Sequence, residues 1–361
     1  MSLVFEDVSY SYKDLAHEGR KKRRERKLFR KRKLEEARTA QRQKQMEQPE
    51  EVYDDSPSSI KGEPAWGTKA GAIWALQNIN FELADGEFFG IAGHTGSGKS
   101  TLIQHMNGLI QPTRGRVLFD GKDLAEKENA SACRTQVGMI FQYPEHQLFA
   151  STVYDDIAFG PRNLGLDSEE VDSRVREAMQ RCHLSFDEVA YQSPFELSGG
   201  QQRAVAFAGV LAMQPRTLVM DEPVAGLDPE SRESFLALIS ELHTQGLTMV
   251  IVSHSMDDLA RLCDRILVLN EGKQLLLGSP EEVFSHTDLL RDVGLDIPAA
   301  QEFAQNLRDD GFDIPEGLYS YQSLAQKIAK NFGILEEDGA QAGSVHTRKD
   351  DAADAEQDRH V

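Results

Sequence analysis

The chain has 361 residues, carries 40 Lys and Arg against 59 Asp and Glu, and has a formal net charge of −19. With 40% hydrophobic and 27% charged residues it can build a core, which excludes a wholly disordered chain, a small disulfide scaffold and a collagen-like repeat. The acidic bulk argues against general nucleic-acid binding through the main body. No apolar run approaches the roughly 18–20 residues needed to cross a bilayer, and no basic stretch followed by an apolar one marks a secretory leader. The three cysteines, Cys133, Cys182 and Cys263, are odd in number and form no CxxC pair, so a reduced compartment and no zinc site are expected.

Leu3, Val4, Phe5 and Val8, followed by Tyr10 and Tyr12 alternating with serine, predict a strand over residues 1–12. Residues 14–66 then interrupt the globular pattern with 15 basic and 11 acidic residues, a net charge of +4 in an otherwise acidic chain. RKKRRERKLFRKRK (20–33) is almost continuous charge. Residues 20–48 contain neither Gly nor Pro, so a polar helix fits there, without an apolar stripe to pack. A linker rich in Pro, Ser and acid follows, PEEVYDDSPSSIKGEP. A solvated loop is the plain reading of this insertion. Contact with anionic lipid headgroups or with nucleic acid are the sharper ones, and Phe29, the lone aromatic of 20–48, weakens the second.

Globular patterning resumes at Ala72. Leu76, Ile79, Phe81 and Leu83 predict a strand, Asp85-Gly86 a turn, and Phe88–Ala92 a short buried strand running into a Gly-rich loop and a helix. Further apolar strands are expected at Val137–Phe141, Thr217–Met220, Thr248–Val252 and Ile266–Leu269, with helices over roughly 167–183, 199–213, 230–245 and 256–262. Strands alternating with helices imply a mainly parallel sheet covered on both faces. Ser279-Pro280-Glu281-Glu282 reads as a helix start, with Ser as N-cap, Pro in the first turn and Glu at the third position. A mostly helical extension follows, and from Glu336 the composition is that of a disordered tail.

Gly93-His94-Thr95-Gly96-Ser97-Gly98-Lys99-Ser100 matches G-x-x-x-x-G-K-[ST] at every fixed position, between strand and helix. The glycines let backbone N–H groups turn inward on a phosphate, and the helix that follows, with Thr101 in its first turn, adds its positive end. Lys99 reaches the β- and γ-phosphates and Ser100 is placed for Mg²⁺. Leu218-Val219-Met220-Asp221-Glu222 is an apolar strand ending in two carboxylates at the same sheet edge. Asp221 would hold Mg²⁺ through its water shell, and Glu222 would orient the attacking water.

Leu197-Ser198-Gly199-Gly200-Gln201 resembles the signature motif of ATP-binding-cassette ATPases, in the family's order relative to the phosphate loop and Asp221-Glu222. Gln142 resembles the Q-loop glutamine, Gly226-Leu227-Asp228 the D-loop, and His254 the switch histidine. Tyr12 resembles the aromatic residue that stacks on adenine, with Tyr10 as its alternative. The likeness narrows to the energy-coupling-factor ATPases through FQYPEHQLF (141–149), TVYDDIAFGPRNLGL (152–166), SPFELSGGQQRAVAFAGVLAMQP (193–215) and DEPVAGLDP (221–229). LIQHMNGLIQPTRG (102–115), with AGLDP, is similar to the second of that subfamily's two paralogues. Val224 stands where the family usually has Thr, and the insertion after Tyr12 replaces a short loop.

The resemblance implies an α/β fold of the ABC type: a mainly parallel core sheet, an antiparallel β subdomain, an α-helical subdomain and a small C-terminal helical extension. The ATPase domain would comprise 1–13 and 67–285, with 14–66 a charged insertion, 286–335 an extension that pairs two ATPases, and 336–361 a tail. ATP and Mg²⁺ are the implied cofactors, with Ser100, Gln142 and Asp221 as metal ligands. Ser198, Gly199, Gly200 and Gln201 would close on nucleotide held by a partner subunit, while Glu222, His254 and Lys99 act on their own. The implied partners are a second, paralogous ATPase, a transmembrane coupling subunit and a membrane substrate-binding subunit, at the cytoplasmic face of the cell membrane. Glu145, His146 and Gln147 are candidates for the groove that receives a membrane-partner helix, a solvated loop being the alternative. His105, His183 and His243 read as structural. A soluble cassette ATPase acting on nucleic acid or ribosomes is the competing reading. It is disfavoured by the presence of one phosphate loop and one signature motif, and no specific nucleic acid is expected.

Overall fold

The computed structural model describes residues 2–12 and 74–331; the insertion 14–66 and the tail 336–361 of the sequence analysis lie outside the described residues. β1 (Leu3–Ser11) and β2 (Trp74–Leu83) pair antiparallel, with Leu3 opposite Leu83 and Ser11 opposite Trp74. Phe5 stacks on Phe81 with ring centroids 4.5 Å apart, which fixes the inward face of the pair. β3 (Phe88–Ala92) is buried throughout and runs into the Gly-rich loop and α1 (Lys99–Met106). β4 (Arg114–Phe119) returns alongside β1 and β5 (Lys122–Asp123) closes a four-stranded antiparallel sheet of order β2-β1-β4-β5.

The chain continues through α2 (Lys127–Gln136) and β6 (Val137–Ile140) to a single 3₁₀ turn, Pro144–Gln147. Three longer helices follow: α3 (Val153–Asn163), α4 (Ser168–Arg181) and, after the one-turn α5 (Phe186–Val189), α6 (Gly199–Leu211). Thr152 caps α3 and Asp167 caps α4 through first-turn N–H groups, so both starts are set by local side chains. β7 (Thr217–Asp221), α7 (Pro229–Thr244), β8 (Thr248–Val252), α8 (Met256–Leu262), β9 (Arg265–Asn270) and β10 (Lys273–Gly278) complete the core. The six-stranded sheet has order β10-β9-β3-β8-β7-β6 and is parallel except for the β9–β10 hairpin. β7 and β3 flank β8, so Ala92 and Asp221 end at one edge, where ligands of such sheets bind.

The period of two divides β3 between two cores. Phe89 and Ile91 face the antiparallel sheet and α1, with Val219, Val250 and Leu267. Phe88 and Ala92 face the helices, with Ile157, Val175, Phe207 and Leu236's neighbours Phe235 and Leu238. α9 (Pro280–Ser285) starts with a full capping box between Ser279 and Glu282, as the sequence predicts. α10 (Thr287–Asp292) adds Leu290 to the helix-side core, and α11 (Ala299–Asp309) and α12 (Tyr321–Asn331) share a separate cluster of Ala300, Ala304, Ile314 and Leu324. The Ala299 N–H donates to Asp257 Oδ1 at 2.9 Å, joining this extension to α8. All three cysteines are free and buried, and burial pushes the Cys133 and Cys182 thiols up to about 12. No helix among the described residues is long and apolar enough to cross a membrane.

Candidate functional site

The loop after β3 is shaped by backbone that only glycine adopts easily. Gly93 has φ +153°, and a Cβ there would collide with Ser97 Oγ and the Leu269 carbonyl. Gly98, at φ +107°, is the N-cap of α1 and offers no side chain to its first-turn N–H groups, which leaves them for an anion. His94 braces the loop, with Nδ1 2.7 Å from the Thr95 carbonyl and Nε2 3.1 Å from Asn270 Oδ1. The buried Lys99 ammonium donates to the carbonyls of Gly93 at 2.5 Å and His94 at 3.1 Å. Burial lowers its pKa, opposed by the charges of Glu222 and Asp221.

The end of β7 supplies the carboxylates. Ser100 Oγ donates to Asp221 Oδ2 at 3.1 Å, bringing the two proposed metal ligands together. Burial pushes the Asp221 carboxyl up, against the pull of Ser100 and Lys99. Glu222 sits in the left-handed region at φ +49° and its N–H donates to the Val252 carbonyl at 3.0 Å. That non-glycine turn aims its side chain at the loop after β8, where His254 Nε2 lies 3.2 Å from Glu222 Oε1. The contact lacks hydrogen-bond alignment, so Oε1 is a buried acceptor without a donor, and burial raises the Glu222 carboxyl to about 7. A general base or water-orienting group benefits from a pKa near the working pH.

These groups open onto one cavity of about 590 Å³, lined by Tyr12, Ala75, Thr95, Gly96, Gly98, Lys99, Ser100, Thr101, Gln142, Asp221, Glu222, Ala225 and His254. Gly93, His94 and Ser97 stand behind that lining. Tyr12 is exposed on the cavity wall and its hydroxyl is 2.9 Å from Thr101 Oγ1. Tyr10 is buried and meets Tyr12 edge-on at 4.9 Å, so of the two aromatic candidates Tyr12 is the one a ligand can touch. Ser100, Gln142 and Asp221 present oxygen donors suited to a hard cation that keeps waters and phosphate oxygens in its shell.

Ser198, Gly199, Gly200 and Gln201 do not line the cavity. They lie exposed at the start of α6, where Ser198 and Gln201 cap each other in a full capping box. Asp228 caps α7, accepting from the Glu230 and Ser231 N–H groups at 3.1 and 3.0 Å. Of Glu145, His146 and Gln147, Gln147 alone lines a cavity, among the described residues. This second cavity, of about 460 Å³, is also lined by Phe149, Phe159, Leu164 and Met213, between α3, α6 and the end of α2. His146 instead stacks on Tyr143, ring centroids 5.6 Å apart. Glu145 turns inward to Arg203 and accepts a two-pronged ion pair at 2.7 and 3.0 Å. Burial is the largest influence on the Glu145 carboxyl and raises it, but the hydrogen bond and charge of Arg203, with a backbone hydrogen bond and His146, together outweigh it, and the net shift is downward. The sequence offered no signal for that pair: Arg203 sits in a polar run, GGQQR, that reads as solvent-exposed.

Comparison with known proteins shows the family and the fold. The ABC transporter family profile matches residues 76–225. The energy-coupling factor transporter ATP-binding protein EcfA2 of Symbiobacterium thermophilum is 52% identical over 262 residues, covering 72% of this chain and 90% of that protein. The protein of the same description from Clostridium tetani is 46% identical over 260 residues, with 72% and 90% coverage. Among solved structures, cbiO1 from Clostridium perfringens, part of the ABC transporter complex cbiONQ, superposes with a TM-score of 0.59 at 30% identity, covering 84% of this chain and 98% of that one. The cassette MJ0796, in a dimeric post-hydrolysis state with ADP and Pi, shares the fold with a TM-score of 0.55 at 24% identity, covering 77% and 98%. With both the phosphate-loop geometry and relatives of this identity along nine-tenths of their length, the chain belongs to the energy-coupling factor transporter ATP-binding protein family of ABC ATPases.

Proposed function

We propose that the chain is the ATP-hydrolysing subunit of an energy-coupling-factor importer, powering uptake of vitamins or metal ions through separate membrane subunits. The observation that carries this reading is the single cavity in which Lys99, Ser100, Gln142, Asp221, Glu222 and His254 converge beneath Tyr12. Tyr12 would stack on the adenine ring. The N–H groups of the loop and of the first turn of α1, with Lys99, would cradle the phosphates. Ser100, Gln142 and Asp221 would hold Mg²⁺, which when bound neutralises phosphate charge. Glu222, with its carboxyl raised toward neutrality, would take the proton of the attacking water, and His254 would hold the γ-phosphate and orient Glu222.

Ser198, Gly199, Gly200 and Gln201 stand outside the cavity, which supports a role at the nucleotide of a second, paralogous ATPase. The N-terminal end of α6 would face phosphates across the dimer, with Asp228 beside it. The helical extension, read as 286–335, would help pair the two ATPases. The groove lined by Phe149, Phe159 and Gln147 would receive the transmembrane coupling subunit at the cytoplasmic face of the membrane. A membrane substrate-binding subunit would choose the cargo. The test is affinity purification of the chain from its native membrane in detergent. Recovery of a second cassette ATPase with a polytopic membrane protein, and MgATP-dependent phosphate release by that assembly, support the reading. Recovery of the chain alone, or with RNA or ribosomes, overturns it.

A further inference from the structure

Among the described residues, Arg203 is the most deeply buried charged side chain that the proposed mechanism does not use, at 3% side-chain exposure. Its fork is almost fully occupied. Nε and one Nη donate to the two carboxylate oxygens of Glu145 at 3.0 and 2.7 Å. The other Nη donates to the carbonyls of Pro223 at 3.0 Å and Ala225 at 3.1 Å. Three separate segments meet on one planar group. Arg203 itself lies in α6, little more than one turn from Ser198. Glu145 lies in the 3₁₀ turn three residues after Gln142. Pro223 and Ala225 follow Glu222 directly, on the stretch that leads to Asp228. Two of these segments also pass close to each other: a Cβ built on Gly226, at φ +77°, would come 3.3 Å from the Tyr143 ring, so only glycine leaves that space open.

The energetics favour a device for placement over one for stability. A buried ion pair returns little net stability against the desolvation of its charges, and well-packed apolar side chains would fill the same space as well. What the guanidinium supplies is a rigid set of donor directions, which carbonyls and a carboxylate must match together. The guanidinium thus joins α6, the Gln142 turn and the loop after Glu222 through four hydrogen bonds on one planar group.

We propose that Arg203 is a positioning residue for ATP hydrolysis, locking the Gln142 turn and the Glu222–Asp228 loop to the helix that carries Ser198. The proposal rests on the ATPase reading above. Arg203 does not line the cavity, and Glu145 holds its guanidinium from the other side. Its loss disturbs the alignment of Glu222 while Lys99, Tyr12 and the first turn of α1 still bind nucleotide.

The test uses the complex purified from native membranes through a tag on this chain, with Glu145→Gln and Arg203→Lys as variants and Glu222→Gln as the reference for a lost reacting group. The expected result is a fall in kcat of about 10- to 100-fold in both variants, the order that small misplacement costs. KM for MgATP stays within about twofold. Amide hydrogen exchange accelerates in residues 142–148 and 223–227 and is unchanged in the strands beside β8. Glu145→Asp, which keeps the charge, recovers part of kcat. Two results overturn the proposal alone: turnover that Glu222→Gln abolishes and Glu145→Gln leaves within about twofold of wild type, or turnover that falls only in proportion to the folded fraction with KM rising alongside. Absence of turnover in the unmodified complex overturns it together with the ATPase reading.

Discussion

The first turns of α1 and α6 look alike in sequence, each opening on glycines and small hydroxyl residues, and their surroundings are opposite. α1 starts from Gly98, which has no side chain to spend on the helix, inside a wall of Lys99, Asp221, Glu222 and Tyr12. α6 starts from Ser198, which is already paired with Gln201, in the open. The first arrangement holds a site within one chain. The second is a helix end already capped by its own side chains, whose remaining N–H groups face the open surface. A strained loop is worth keeping where the ligand is enclosed, whereas an exposed end is better self-capped.

The sharpest way to break the comparison is chemical. Glu222→Gln is expected to cut phosphate release by about 10²–10⁴-fold with nucleotide binding retained, as removal of a general base does. Fluorescent-nucleotide titration beside a steady-state phosphate assay checks both halves. Next, the same substitution at the two loops should give different defects. Gly93→Ala forces a Cβ into Ser97 Oγ and the Leu269 carbonyl and should cost about 3 kcal/mol of stability together with ATP binding. Gly199→Ala meets nothing within 4 Å, so stability should move by less than about 0.5 kcal/mol and binding by the isolated chain should hold. Turnover by the assembled dimer should still fall by about tenfold or more. Urea melts of both variants, with assays before and after assembly, decide this.

A third difference is titratable. α1 carries His105, wholly buried, whose Nδ1–H donates to the Thr101 carbonyl at 2.7 Å and whose pKa burial lowers to about 4. The unfolded value is about 6.5, so the folded state prefers the neutral ring. The stability this represents is complete above pH 6.5 and is lost as pH falls toward 4, because the unfolded chain takes up the proton first. The loss across that window is on the order of 3 kcal/mol. His105→Gln should flatten the decline in urea midpoint between pH 7 and pH 4.5, and an unchanged decline would contradict it. Smallest is the cap itself: Ser198→Ala should lower stability by about 1 kcal/mol, measured by thermal melting, without altering nucleotide binding in the isolated chain.

Local chemistry explains what could be read from sequence. The strands Phe88–Ala92 and Thr248–Val252 and the helix Met256–Leu262 appear with the predicted bounds, because each is a dense apolar run or a well-capped turn. The convergence of Lys99, Asp221 and Glu222 followed from strands that end at one edge. α2, α3, β4, β5 and β10 leave no clear mark in the sequence. α3 carries Gly160 and Pro161 inside the helix, α2 buries only Ala130 and Cys133, and β4 opens on three exposed residues, so none shows a clean period. The Arg203–Glu145 pair was illegible for another reason. Its partners are 58 residues apart, and a buried charge announces itself only through the fold that surrounds it.

The pairing of Ser11 with Trp74 has a consequence for how this chain tolerates novelty. Both ends of the intervening stretch are neighbours in an existing strand pair, immediately beside Tyr12. The sheet therefore works as a socket, in which length is exchanged without a change of register. Doubling the chain threaded between the two ends costs only about 0.6 kcal/mol in closure entropy. Because the two attachment points lie beside Tyr12 on the cavity wall, a segment of different charge or purpose can be joined there at little expense to the fold, which makes these ends the natural place to graft a reporter that senses the nucleotide.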